Sequence, residues 1–410
     1  MLLPAGVAVE SRLLLAGRAL RAFCDGFVAI LLPAYLLGLG LGKWDVGLIS
    51  TATLFGSALM TLAVGQWGHR YPQRRLLLAA AWLMAATGLF LAGVSSFWPL
   101  LLVAFVGTVN PSSGDVSVFL PLEHARLAEA AQGDARTALF ARYSFTGTLC
   151  AAVGALAAAF PDALMRLGWG QLDALRLMFG LYGVVGVAIF LLYRRLPVRR
   201  EHEQATAPAP LGPSRGIVVR LAALFSLDAF AGGLVVNTLL ALWLFERFGF
   251  SLAAAGSFFF WAGLLTAASQ LAAPLVAKRI GLLNTMVFTH IPANLCLIGA
   301  ALVPGIEWAL GLLLLRSLLS QMDVPTRSAF VMAVVTPAER AAAASFTAVP
   351  RSLAAAASPA IGGALFATGW LAAPLVACGT MKIAYDLAIW RAFRKIEPAA
   401  APSAGHGPVR

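Results

Sequence analysis

Twelve stretches of this chain are each long and apolar enough to cross a bilayer, and that leaves few folds open. They run at about 12–38, 45–68, 75–95, 97–121, 137–160, 172–193, 217–245, 251–276, 282–303, 307–335, 341–367 and 370–392. A spanning helix needs roughly 20 predominantly apolar residues. Core helices of a soluble domain are neither this long nor this numerous, and 60% hydrophobic against 12% charged residues lies outside soluble composition. No strand-like alternation recurs at the spacing of an outer-membrane barrel. Inside lipid every backbone polar group needs an internal partner, so the expectation is an all-α integral membrane protein with twelve transmembrane helices.

Loop charge orients the bundle. Arg70, Arg74 and Arg75 fall between segments 2 and 3, and Arg126 and Arg136 between 4 and 5. Arg194, Arg195, Arg199, Arg200 and Arg215 lie between 6 and 7, Lys278 and Arg279 follow 8, Arg340 follows 10, and Arg394 and Lys395 follow 12. The alternate loops hold Lys43, Arg166, Arg247 and Arg176. This asymmetry places both termini in the cytoplasm. The net charge of +12 then belongs to a face against anionic lipid headgroups, and no nucleic-acid partner is expected. The first residues lack the pattern of a removable signal peptide, so segment 1 is expected to act as an uncleaved targeting signal. The cysteines at 24, 150, 296 and 378 have neither disulfide nor zinc spacing. An arginine-rich composition suggests a bacterial source and hence the inner membrane.

The chain repeats itself. A shift of 203 lays Asp25-Gly26-Phe27 on Asp228-Ala229-Phe230. A shift of 204 lays Leu120-Pro121 on Val324-Pro325, Arg136 on Arg340 and Thr148-Leu149 on Ser352-Leu353. Near-constant offsets across separate segments mark a duplication. The expected units are an N-terminal six-helix bundle (1–193), a charged and then Pro/Ala-rich cytoplasmic linker (194–216), a C-terminal six-helix bundle (217–393) and a disordered tail (394–410). An even number of helices per half gives repeats of the same orientation, facing each other across a central cavity and able to rock.

Intramembrane charge points to the chemistry. Asp25, Asp115, Asp228 and Asp323 lie in segments 1, 4, 7 and 10. An ionised carboxylate costs roughly 2.5–3.5 kcal/mol at a helix centre on the insertion scale, so all four are expected to face protein or water. Burial brings such a group toward exchanging its proton near neutral pH, the minimum part for proton coupling. Against this stands pairing within one helix face, as i,i+4 spacing allows for Arg21 with Asp25, Asp323 with Arg327, and Lys382 with Asp386. The Lys382 and Asp386 pair reads as a snorkelling structural pair, and His290 as a satisfied buried histidine. Arg316, Ser320, Asp323 and Arg327 form one polar face of segment 10. Segment 4 carries Asn110-Pro111-Ser112-Ser113-Gly114-Asp115. Breaks at Pro111 and Gly114 in one repeat and at Pro325 in the other mark a transporter site, because freed backbone groups must face a cavity. Arg142 and Arg351 are candidates to meet a substrate anion or those acids.

Between segments 2 and 3 the chain reads Gly65-Gln66-Trp67-Gly68-His69-Arg70-Tyr71-Pro72-Gln73-Arg74-Arg75. This resembles the signature of the major facilitator superfamily at Gly65, Arg70, Arg74 and Arg75, with His69 where the family has Asp and Pro72 where it has Gly. After segment 8, Pro274 to Gly281 keeps Arg279 and Gly281 and puts Lys278 at the Asp place. Ser358-Pro359-Ala360-Ile361-Gly362-Gly363 resembles the Gly-Pro-x-x-Gly-Gly element of family antiporters, here in segment 11 instead of segment 5. The resemblance implies the fold of that superfamily and two functional sets. Segments 1, 4, 7 and 10 would line the cavity, with Asp25, Asp228, Asp323 and Asp115 for proton coupling and Arg21, Asn110, Arg142, Arg316, Arg327 and Arg351 around the substrate. Gly65, His69, Arg70, Arg74, Lys278, Arg279, Gly281 and Pro359 would form the conformational gates.

The expected function is proton-coupled transport of a small organic solute, with efflux by antiport as the direction, in a monomer. Two alternatives stay open. Cavity arginines select an organic or inorganic anion in one. In the other the bundle is a membrane sensor or assembly factor without turnover. No phosphate-binding glycine loop, metal-ligand spacing or nucleophile arrangement appears, so neither an enzyme nor a cofactor is expected.

Overall fold

The computed structural model describes residues 9–112, 117–130, 133–197, 211–336 and 339–395. All regular structure among them is helical. In the N-terminal half the helices are α1 (Val9–Gly38), α2 (Lys43–Trp67), α3 (Gln73–Gly93), α4 (Phe97–Val106), α5 (Phe119–Ala130), α6 (Gly133–Leu156), α7 (Phe160–Arg166) and α8 (Gln171–Tyr193). In the C-terminal half they are α9 (Arg215–Gly233), α10 (Asn237–Phe248), α11 (Leu252–Ile280), α12 (Leu282–Leu302), α13 (Ile306–Leu319), α14 (Asp323–Val334), α15 (Arg340–Ala367) and α16 (Ala373–Phe393).

Eight described helical stretches satisfy length and hydropathy for a span, counting α9–α10 as one. The other four expected spans take a different form. Segments 4 and 10 each arrive as two short helices, α4 with α5 and α13 with α14. Helices α15 and α16 are long enough but carry Arg351 in one and Lys382 with Asp386 in the other.

Three cavity helices are interrupted. The break between α4 and α5 begins at Gly107 and includes Pro111, as expected, while Gly114 lies outside the described residues. In segment 10 the break sits at 320–322, and Pro325 lies in the first turn of α14. That placement is physical: a first-turn proline has no intrahelical N–H to lose. The third break, at 234–236 between α9 and α10, falls inside what hydropathy gives as one span, 217–245.

Helix α5 extends further than expected and converts a presumed loop charge into a buried one. Arg126 is 2% exposed, ion-paired with Glu10 and bonded to the Pro197 carbonyl at 3.3 Å. It is therefore no part of the solvent-facing basic loops. Both described ends of the linker are tied down: Pro197 by Arg126, and Gly212 and Ser214 by the Glu339 carboxylate, which accepts from both backbone amides. Residues 198–210 and the tail beyond 395 lie outside the described residues.

The bundles meet tightly at the membrane face away from the linker, called the far side here. A Cβ added at Gly47 of α2 would lie 2.6 Å from the Pro359 carbonyl oxygen and 2.9 Å from Gly363 Cα of α15. Only glycine allows these backbones to cross so closely. One at Gly256 of α11 would lie 2.5 Å from the Ala155 carbonyl of α6. Polar contacts join the same faces: Ala360 N–H to Thr51 Oγ1 at 2.9 Å, Ala253 N–H to Asp162 Oδ2 at 2.8 Å, and Lys43 Nζ to Glu246 Oε2 at 2.7 Å.

Candidate functional site

Below that seal lies a cavity of about 450 Å³ between the bundles. This is within the size range of small-molecule sites. Its wall takes Asp25 and Asn110 from the N-terminal bundle, and Asp228, Arg316, Arg327 and Arg351 from the C-terminal one. The helix breaks supply backbone to the same region: the Thr238 N–H at the start of α10 donates to the Pro111 carbonyl across the bundles at 3.1 Å. Asn110 is 3% exposed, and its Oδ1 accepts from the Ser112 hydroxyl at 2.8 Å, bracing the unwound segment.

Asp228 sits between two cations. Its Oδ1 accepts from Lys382 Nζ of α16 at 2.6 Å, and its Oδ2 from Arg327 Nη2 of α14 at 2.9 Å. The same guanidinium also bonds Asp323 one helical turn back and stacks 5.2 Å from the Phe225 ring centre. All four charged groups are at least nine-tenths buried. Two carboxylates and two cations make a neutral cluster, and a buried charge is tolerable only when so compensated.

The pairing within α16 is therefore not the expected one. Lys382 turns inward to Asp228, and Asp386 accepts from His290 Nδ1 of α12 at 2.9 Å. The 9% exposure of Lys382 rules out snorkelling. Same-helix spacing made the two residues look like partners, but stronger partners on α9 and α12 took each of them. His290 is buried and hydrogen-bonded, as expected.

The N-terminal bundle holds a second cluster that the sequence did not reveal. Glu123, fully buried, accepts from Arg21 Nη2 at 2.8 Å and from the Tyr143 hydroxyl at 2.5 Å, and also from Tyr193. Arg21 lies 4.1 Å over the Phe119 ring and is absent from the wall of the main cavity. The repeat offset held the missing signal, since Glu123 shifted by 204 falls on Arg327. In each half an ion pair thus ties the first helix of the repeat to its fourth: α1 to α5 through Arg21, and α9 to α14 through Asp228.

The remaining candidates separate. Asp25 lines the cavity; Asp323 sits behind Arg327 and outside the wall. Arg142 on α6 is half-buried and is not among the described residues that line this cavity. Asp115 lies outside the described residues, as does the side chain of His69. Gly65 has open space where a Cβ would be, and Arg70, Lys278 and Arg279 are exposed on the linker side. Arg74 Nη2 donates to the Arg194 carbonyl at 2.5 Å, placing a cation at the C-terminal end of α8, where the helix dipole favours it. Gly281, at φ +86°, forms the turn between α11 and α12. Pro359 belongs to the far-side seal, at the opposite face from the other gate residues.

The sequence model of the Major Facilitator Superfamily matches residues 14–322. The chain belongs to this superfamily. A curated relative is the uncharacterized membrane protein YJR124C of Saccharomyces cerevisiae, 23% identical over 417 residues, covering 92% of each chain. Among solved structures, a bacterial homolog of the human lysosomal transporter Spinster, in an inward-facing and unoccupied conformation, superposes with a TM-score of 0.72. It shows 15% identity, with 96% of this chain and 98% of that one covered. The D-xylose-proton symporter also gives 0.72, at 16% identity, with 93% and 96% covered. At such identities the likeness establishes the fold alone: two facing helical bundles.

Proposed function

We propose that this superfamily member is a proton-coupled secondary transporter that carries a small organic solute by alternating access. The observation that supports it most is a cavity between the bundles, lined by Asp25 and Asp228 and shut on the far side by contacts that a rocking motion would release. Asp228 cannot take a proton without surrendering part of its pairing to Lys382 and Arg327. Protonation therefore loosens α9 from α14 and α16, and loosening of a packed helix set is how a local charge change reaches a global motion. Asp25 is the second titrating group on this reading, Asp323 acts through Arg327, and Asp115 stays a candidate for proton coupling. Orientation follows the basic loops: both termini and the linker in the cytoplasm, with the cavity open to that side. A bacterial inner membrane and a monomer complete the proposal. Export against entering protons is the direction supported by the Ser358–Gly363 element, whose last glycine forms the far-side crossing.

The test begins with growth profiling of a deletion strain against a compound panel, to supply a solute. Counterflow and gradient-driven accumulation are then measured in vesicles of known orientation. Asp25→Asn and Asp228→Asn should each retain counterflow and lose accumulation driven by a pH gradient. A charge-balanced Asp228→Asn/Lys382→Met protein controls for instability. Gradient-driven accumulation that survives both single substitutions removes the coupling assignment.

A further inference from the structure

Among the described residues, the cavity carries more positive charge than its acids balance. Five cationic side chains line it, Arg18, Arg316, Arg327, Arg351 and Lys382, against Asp25 and Asp228. Adding Asp323 from behind Arg327 brings the acids to three, which leaves an excess of two positive charges. Arg327 and Lys382 are committed to Asp228 and Asp323. Among the described residues Arg316 and Arg351 have no ion pair and no side-chain hydrogen bond, and Arg316 Nε is buried without a partner. Arg316 is half-buried and Arg351 exposed on the cavity wall, so each keeps N–H donors turned to whatever enters the cavity, and an anion is the ligand that matches them.

We infer that Arg316 and Arg351 form an anion subsite, and that the solute is an organic acid: a carboxylate, sulfonate or phosphate monoester attached to an apolar body. A guanidinium offers two parallel N–H donors to such a group, which a neutral solute would leave unpaired. The body has a matching surface, since Phe258 and Phe259 of α11 and the small residues Ala151 and Ala155 of α6 line the rest of the wall. Both arginines belong to the C-terminal bundle, on α13 and α15, while the apolar wall bridges the two bundles. An anion held by one bundle and covered by the other fits a site that must be released when the bundles part. This inference rests on the transport reading only for its purpose; the subsite is a matter of binding.

The experiment uses the purified full chain and a ring-matched series: benzoate, benzenesulfonate and phenyl phosphate against benzyl alcohol and benzylamine, with inorganic phosphate as the body-less control. Thermal stabilisation at millimolar concentration is read for the native protein and for Arg316→Gln, Arg351→Gln and the double variant. Charged hydrogen bonds of about 1.5–3 kcal/mol correspond to affinity losses of roughly 10- to 100-fold per guanidinium removed. The acids should stabilise, the alcohol and amine should not, and phenyl phosphate should outcompete inorganic phosphate. Arg→Lys at either position should restore part of the effect, as a point charge lacks the fork. The glutamine variants shed uncompensated charge, so folding is not at risk. Equal binding of benzyl alcohol, acid binding unchanged in the double variant, or no acid-dependent stabilisation overturns the subsite. Acid-selective binding without counterflow keeps the subsite and removes the transport reading. Counterflow of a neutral solute that ignores both substitutions does the reverse.

Discussion

Lys382→Met should be among the most destabilising single changes in the chain, and a second substitution should partly undo it. At 2.6 and 2.9 Å, with an effective dielectric near 20, each contact to Asp228 represents a gross attraction of about 6 kcal/mol. Desolvation of four buried charges offsets most of that, so the intact cluster contributes little net stability. Breaking it on one side is another matter. Lys382→Met leaves two carboxylates to share Arg327, a net charge of −1 on groups at least nine-tenths buried. Removing one partner of a buried pair costs about 3–5 kcal/mol. Asp228→Asn leaves +1 and a similar penalty. The double variant retains Arg327 with Asp323, one to one and neutral, and should lose markedly less than the two singles added together. The assay is a double-mutant cycle on unfolding of the purified protein, with a coupling energy of about 2 kcal/mol or more expected. Additive losses would show that Lys382 and Asp228 do not sense each other and would refute the charge-balance argument.

Gly47→Leu should prop open the far side, because both backbones across from it leave no room; the distance between spin labels at Leu41 and Thr368 should lengthen relative to the native protein. Reversing the pair as Lys43→Glu with Glu246→Lys should change that distance distribution little, since an ion pair 28% exposed at each end is worth about 1 kcal/mol or less. Glu339 is held down to about 2, below its ordinary 4.5, by the Ser214 and Thr336 hydroxyls and the Gly212 amide. A depressed carboxylate gives its full stabilisation above the unfolded value and loses it as pH falls from about 4.5 through about 2, so the linker anchor is complete at neutral pH. Glu339→Gln should therefore raise amide exchange at Gly212 and Ser214 at pH 7, and unchanged protection would show the anchor does not depend on the charge.

What the sequence disclosed follows from which forces act along the chain and which across it. Hydropathy is a property of consecutive residues, so most spans, the loop charges other than Arg126 and the family signature were legible, as were Asp25 and Asp228 as groups needing shelter. The α9–α10 break was not, because Gly233-Leu234-Val235 is as apolar as the helices flanking it. Partner choice was the weakest reading. Spacing within one helix pointed Lys382 to Asp386, while α9 and α12 carried the acid and the imidazole that capture them. Glu123 lay just past a span boundary drawn at 121, yet a buried arginine on α1 required an acid somewhere, and the repeat offset named the place.

The central claim is that these acids face an aqueous cavity that one side of the membrane reaches at a time. A cysteine placed at Thr266, on the cavity wall, in a background without the four native thiols tests it most directly. In oriented vesicles it should react with a membrane-impermeant reagent from the linker side at rest. Far-side reactivity should appear once Gly47→Leu is added. Labelling from neither side, or only by a lipid-soluble reagent, would mean that the cavity does not open to water and that the account is wrong.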